Sequence, residues 1–322
     1  GAGLVGSEMC IRDRLFAQRE ILANVRRRSQ GSPMSLSPDL SGAFGSILED
    51  RNADPALTSE AITLPDEEYL AELMSVVDVD GIHEARNFVK AQLAETLEES
   101  LLACYDRLSP TGPYQKAPAA MASRSLRNVC LSYLGTTVRG EQLAQDQLEA
   151  SDNMTDTLAA MRVLVWRKAP SAPLALDQFE SQWGSDPLVM DKWFAMQASV
   201  PGADTVARVR VLMNHASFSF RNPNKVRSLL GVFSMMNPTA FHADDGSGYR
   251  LHADCVMKLD ELNPQVAARL AGAFNQWTRY NIGRREKMKT ELARIAGREN
   301  LSGDVSEIVN NALGMEHLGT ES

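Results

Sequence analysis

The densest run of chemically capable side chains is His242-Ala-Asp-Asp-Gly-Ser-Gly-Tyr249, followed by His252-Ala-Asp-Cys255. Imidazole, carboxylate and thiol are the donor types of a transition-metal centre, which needs three or four ligands converging in fixed geometry. A stand-alone metal enzyme in this chain draws on His242, Asp245, His252 and Cys255. The spacing argues against it. Asp244, Asp245 and Gly246 do not follow the alternating ligand positions of a calcium loop. The plainer reading is a Gly-rich turn between helices, with His242 or Asp245 bonded to local backbone amides.

Other catalytic signatures are missing from the sequence. A zinc-binding HExxH helix places two histidines one turn apart with a glutamate as base. Here His83-Glu84 is followed by Asn87 where the second histidine belongs. No GxSxG elbow, phosphate-binding GxxxxGK[ST] loop or GxGxxG turn occurs. No catalytic, cofactor-binding or metal-binding residue is therefore assigned in this chain.

One further polar island is Asn222-Pro-Asn-Lys-Val-Arg-Ser228, in which Arg227 borders the apolar stripe of Val226, Leu230 and Phe233. Gln265 and Arg269 are four residues apart and share one helix face, beside Val266, Leu270 and Phe274. Composition makes these side chains solvated or salt-bridged. The competing reading has them line a concavity and meet a carboxylate or a peptide carbonyl.

The elements that must position these residues are helical almost throughout. From Leu36 onward, stretches with 3.6-residue apolar spacing are cut by Pro, Gly, Asn and Asp. The spacing predicts helices after Thr63-Leu64-Pro65-Asp66, with Thr63 as cap, over His83 to Cys104, and over roughly 122–134, 137–149, 154–167 and 173–183. Asp186-Pro187, Asn222-Pro223 and Asn263-Pro264 open others, because Asn or Asp caps free amides while Pro fills the first turn. A helix is read over 203–215, and Ser302 caps the last one. Trp166, Trp183, Trp193 and Trp277 fall at core spacings, and Cys10, Cys104, Cys130 and Cys255 lack any CxxC pair and read as buried small residues. Short helices must hide their stripes against neighbours. The expected fold is all-α, an irregular superhelical array of antiparallel helix pairs of HEAT/ARM-like solenoid type.

The chain has 322 residues, with 44% hydrophobic and 23% charged residues, and a net charge of -8. That supports a substantial core and is the wrong sign for a general nucleic-acid binder. No window has the roughly 18 consecutive apolar residues of a membrane helix. Arg26-Arg27-Arg28 reads as a solvated helix end, and residues 31–38 as a loop. GAGLVGSEMC lacks a basic n-region and meets charges at once, so it does not read as a secretory signal; residues 1–19 are expected to be a leader or non-family segment, disordered. Residues 20–313 are expected to form one domain and 314–322 a tail.

In sequence order the islands resemble a known family. They are Leu64-Pro65 with its acidic helix, Arg124-Ser-Leu-Arg-Asn-Val-Cys-Leu131, Asn153-Met-Thr-Asp156, Val189-Met-Asp-Lys-Trp-Phe194, His215-Ala-Ser-Phe218 and Asn222-Pro-Asn-Lys-Val-Arg-Ser-Leu229. Asn237-Pro-Thr-Ala-Phe-His242, Asp245-Gly-Ser-Gly-Tyr249, Asn263-Pro-Gln-Val-Ala267, Lys287-Met288 and Glu299-Asn-Leu-Ser-Gly-Asp304 complete the series. The chain resembles the C-terminal helical domain of bacterial-type aminopeptidase N, in the M1 family of zinc alanyl aminopeptidases.

The resemblance implies a domain that caps an upstream catalytic domain of the same polypeptide and lines a chamber admitting small peptides. It implies zinc and the catalytic residues in that missing domain, none here, and a cytoplasmic setting. It places Arg227, Gln265 and Arg269 on the chamber wall. No nucleic-acid or membrane partner is expected. The alternative is a free-standing helical adaptor that binds a protein or peptide on its concave face.

Overall fold

The computed structural model describes the backbone of residues 2–314 and the side chains of residues 15–314. The Cys10 side chain and residues 315–322, most of the expected tail, lie outside that range. The chain divides into two compact units. The first comprises residues up to Leu70 and Asp80–Ala175, the second Ala71–Val79 and residues from Leu176 onward.

The first unit is built from α1 (Ala2–Ser29), α2 (Pro38–Glu49), α3 (Pro55–Ile62), most of α4 (Glu67–Glu72), α5 (Val79–Thr96), α6 (Glu98–Arg107), α7 (Pro118–Leu134), α8 (Gly140–Ala150) and α9 (Met154–Trp166). α10 (Ala172–Trp183) starts in it and ends in the second unit. Ala17, Ile21 and Val25 of α1 are buried, and α3 packs on both α1 and α7. α6 packs on α7, and α8 on α9.

The second unit continues with α11 (Pro187–Ala198), α12 (Asp204–Leu212), α13 (Pro223–Val226), α14 (Val232–Met235), α15 (Pro238–Phe241), α16 (Ser247–Asp260), α17 (Pro264–Ala271), α18 (Ile282–Ala296) and α19 (Gly303–Gly314). The segment 71–79 is tied to it by Arg279, whose Nη2 donates to the carbonyls of Ala71 at 2.9 Å and Met74 at 2.8 Å. Val77 N adds a bond to the Arg279 carbonyl at 2.8 Å, and Val77 and Tyr280 form an isolated β-bridge. The described residues form no sheet. The fold is all-α, an irregular array of short helices.

The helix starts follow the cap-and-proline chemistry. Ser37, Asp54, Asp186, Asn222, Asn237 and Asn263 each accept a first-turn amide immediately before a proline. Ser302 caps α19 as expected, its Oγ accepting from Val305 N at 3.3 Å.

Four expectations about helix caps and helix continuity change. Thr63 does not cap α4; its Oγ1 donates to the Ser59 carbonyl at 2.6 Å, at the end of α3, and Asp66 caps α4 by accepting from Tyr69 N at 2.7 Å. The expected helix from His83 to Cys104 breaks at Leu97 (φ -112°, ψ 19°), so that α6 turns to face α2 and α7. The helix read over 203–215 ends at Leu212, where Met213 and His215 close the chain with turn hydrogen bonds. The helix opening at Pro223 is interrupted by a π-helical turn, Arg227–Gly231.

Trp193 and Trp277 are buried, their Nε1 groups satisfied by the carbonyls of Leu176 at 3.1 Å and Ala312 at 2.9 Å. Trp166 and Trp183, the last residues of α9 and α10, do not reach full burial; Trp166 is 40% exposed. Cys104, Cys130 and Cys255 are free and buried.

Candidate functional site

The 242–255 run is only partly a turn. Residues 242–246 make the reversal, and α16 then carries Tyr249, His252 and Cys255 into the core. Gly246 sits in the left-handed region at φ 71°. Gly248 lies against backbone, where a Cβ would stand 2.3 Å from the Phe241 carbonyl oxygen. Asp245 Oδ1 accepts from Ser247 N at 2.9 Å, and bonding to Ser247 holds its carboxyl below the usual range.

The donors of this run point to separate partners. His242 Nδ1 lies 2.7 Å from the Tyr249 hydroxyl, and its backbone carbonyl accepts from Arg284 Nε at 3.0 Å. His252 Nε2 donates to the Leu270 carbonyl at 2.8 Å, while its Nδ1 is buried without a partner among the described residues. The His252 ring packs between those of Phe241 and Phe274, with ring centroids 5.2 and 5.3 Å from its own. Cys255 Sγ meets Met213 Sδ at 3.5 Å. Burial, reinforced by Arg284, pushes His242 down to about 3, and burial pushes His252 down to about 4. Burial raises the Cys255 thiol to about 12. These are neutral core groups. Their donor atoms do not converge, and among the described residues no group of three or more His, Cys, Asp and Glu is arranged to hold a metal ion.

His83 and Glu84 are likewise engaged separately. His83 Nδ1 bonds Glu67 Oε1 at 2.7 Å, and its Nε2 accepts from Asn87 at 2.9 Å. Glu84 points elsewhere, to Arg28 Nη2 at 2.7 Å. That guanidinium lowers the carboxyl of Glu84.

Arg227, Gln265 and Arg269 are all exposed. Gln265 and Arg269 lie one turn apart on α17, whose other side buries Ala267, Leu270 and Ala271. Neither has a hydrogen-bond or ion-pair partner among the described residues. Arg227 opens the π-helical turn, with Nη1 at 3.5 Å from Asn224 Oδ1. Such turns interrupt the regular ladder and recur at functional sites. Periodicity alone does not reveal them.

Two polar assemblies went unread in the sequence. Lys225 is buried, with Nζ donating to the Pro187 carbonyl at 2.6 Å and to Asp191 Oδ1 at 2.7 Å. In the first unit, Asp156 accepts from Asn128 at 2.8 Å and Asn153 at 3.0 Å. Gln147 bonds Asn128 Oδ1 at 2.8 Å, and the Tyr105 hydroxyl donates to Gln147 at 2.9 Å while accepting from Arg127 at 2.8 Å. Both assemblies join residues from different islands, and only long-range contacts disclose them.

The comparisons agree with this construction. A family model described as "Domain of unknown function (DUF3458_C) ARM repeats" matches residues 14–314. The chain is 40% identical over 295 residues to an aminopeptidase N of Escherichia coli strain K12, covering 91% of this chain and 34% of that protein. It is 41% identical over 299 residues to an aminopeptidase N of Haemophilus influenzae, covering 93% and 34% respectively. Among solved structures it matches an aminopeptidase A of Legionella pneumophila, crystallised in complex with aspartic acid, at a TM-score of 0.85 and 30% identity. That match covers 95% of this chain and 36% of the other. The chain thus spans about a third of the length of the relatives it matches. With ARM repeats matched over nearly its whole length, the chain belongs to the DUF3458_C family and is a C-terminal, helical domain related to the bacterial M1-family aminopeptidase N.

Proposed function

We propose that this chain serves as the C-terminal domain of a cytoplasmic zinc aminopeptidase that removes N-terminal residues from small peptides. Residues 20–313 act as one functional domain, which caps the upstream catalytic domain of the same polypeptide and lines the substrate chamber. A zinc ion would be held by residues of that catalytic domain, where it would supply activation of water for attack on the first peptide bond. The residues of this chain exclude bulk water and hold the far end of the substrate.

The observation that carries this reading is the likeness to aminopeptidase N over nine-tenths of the chain. The site chemistry is compatible with it. Arg269 and Gln265 present an unpartnered cation and an amide side by side on an exposed face. A guanidinium there suits a peptide carbonyl or a terminal carboxylate, and Arg227 supplies a second.

Arg269→Ala in the full-length enzyme tests the assignment. Turnover of a tripeptide should fall by about tenfold in kcat/KM, the size of one lost charge-assisted contact. Turnover of a single-residue amide, which has nothing downstream to hold, should stay within about twofold. Equal losses on both substrates would remove the peptide-holding role.

A further inference from the structure

The segment that opens at Pro223 is buried around most of its girth. Lys225, Val226, Ser228, Leu229 and Leu230 are all buried, and between residues 225 and 230 only Arg227 is exposed. The buried side is fastened. Lys225 Nζ holds the Pro187 carbonyl and Asp191, and Ser228 Oγ donates to the Lys225 carbonyl at 3.1 Å. The backbone that carries Arg227 is thus fixed from behind, and the freedom left to this residue is that of its side chain.

Two residues on the same face flank that side chain, three positions before it and four after. On one side Asn224 Oδ1 lies 3.5 Å from Arg227 Nη1. On the other is Gly231, the last residue of the π-helical turn. Gly231 has ordinary helical angles, φ -64° and ψ -46°, which any residue adopts. Apart from its chain neighbours and the backbone of its own helix, a Cβ there would meet only Arg227 among the described residues. It would stand 3.6 Å from Arg227 Cγ and 4.0 Å from Arg227 Cβ, both ordinary contacts.

Neither backbone strain nor close packing therefore calls for glycine at 231. Gly246 and Gly248 are different: the first needs φ 71°, and the second presses on backbone. Glycine inside a helix is less favourable than alanine. It is the neighbour that singles Gly231 out. Gly42 is equally unconstrained, but its missing side chain uncovers nothing within 4 Å, whereas that of Gly231 uncovers the stem of Arg227.

We propose that Gly231 is a positioning residue for Arg227, keeping one flank of its side chain open so that the guanidinium closes on the downstream part of a peptide lying across the glycine. The inference rests on the chamber-wall reading of Arg227 given above.

The test uses the full-length enzyme with a tripeptide and a single-residue amide. Arg227→Ala serves as the control for the chamber reading and should lower kcat/KM on the tripeptide by about tenfold. Gly231→Ala should lower it by about threefold and Gly231→Leu by about tenfold, both through KM, with the amide changed by less than about twofold. In the Arg227→Ala background, Gly231→Leu should add less than about twofold, because the arginine through which it acts is gone. The melting temperature of this chain should meanwhile rise by about 1–3 °C with Gly231→Ala, as a helical position gains a better helix former. A structural role for the glycine would lower it instead. Tripeptide turnover kept by both Gly231 variants but lost with Arg227→Ala overturns this inference and leaves the chamber reading standing. Turnover unchanged by Arg227→Ala removes both. A Gly231→Leu loss of the same size with and without Arg227, or a lowered melting temperature for Gly231→Ala, also overturns the positioning role.

Discussion

Lys225 Nζ stands 2.7 Å from Asp191 Oδ1, joining the start of α13 to the first turns of α11. The lysine side chain is 5% exposed and the aspartate 20%. The same ammonium caps the Pro187 carbonyl and lies 5.7 Å from the centre of the Phe194 ring. Two of the islands that carry the family resemblance, 189–194 and 222–229, therefore meet through a buried charge pair next to Arg227. A buried ammonium left without its carboxylate is costly, whereas removing both charges is far less so.

Asp191→Ala should accordingly destabilise the protein by about 3 kcal/mol in urea unfolding, because it strands the buried Lys225 charge. Lys225→Met should cost less, since Asp191 retains some contact with water. The double variant should be more stable than the sum of the two single changes predicts, by about 1–3 kcal/mol. Strict additivity would show that the pair is not coupled.

Gly248→Ala should be among the most damaging single methyl additions in the chain. The new Cβ would meet the Phe241 carbonyl oxygen at 2.3 Å and the Ala240 carbonyl oxygen at 2.6 Å, both rigid backbone. Separating α16 from α15 to relieve this clash should cost about 3 kcal/mol or more, read as a loss of melting temperature. A variant that melts with the wild type contradicts the packing described here.

Acidification should weaken the second unit over a defined window. His242 and His252 are held neutral, at about 3 and about 4 against an ordinary value of 6.5. His242 is faced by Arg284, Tyr249 and Tyr280, with Asp244 engaged by the same arginine. His252 is faced by the Leu270 carbonyl, Phe241 and Phe274. Below pH 6.5 the unfolded chain binds two protons that the folded chain refuses, so unfolding becomes easier as pH falls toward 4. The slope approaches about 1.4 kcal/mol per pH unit for each histidine. Urea unfolding between pH 7 and 4 should show this slope, and His252→Gln should reduce it. A slope unchanged by that replacement would place the titration elsewhere.

Much of the fold was legible because its signals are local. A capping oxygen followed by proline marks a helix start whatever the surroundings, as at Asp186, Asn222 and Asn263. Interruptions were not legible, because tertiary contacts set them. Leu97 breaks a continuous apolar stripe so that two helices can face different neighbours, and the π turn at Arg227 leaves the period-3.6 pattern undisturbed. The 242–255 run read as a turn because its glycines look alike, although Gly246 serves a reversal and Gly248 a close helix approach. Gln265 and Arg269 share an exposed face as their spacing predicts, while Lys225, which braces the neighbouring segment, is a charged residue whose burial no local pattern announces. The islands themselves prove to be caps and interhelix locks: Asn128, Asn153 and Asp156 in one unit, Asp191, Lys225 and Asn237 in the other.

The most direct test is an aminopeptidase assay with metal analysis on the purified chain, alone and after mixing with the separately produced catalytic part of the enzyme. The chain alone should carry no stoichiometric zinc and show no turnover, and mixing should give binding with altered peptide turnover. Stoichiometric zinc and turnover by the chain alone would contradict it, and would require the donors at His242, His252 and Cys255 to rearrange from the separate partners they hold.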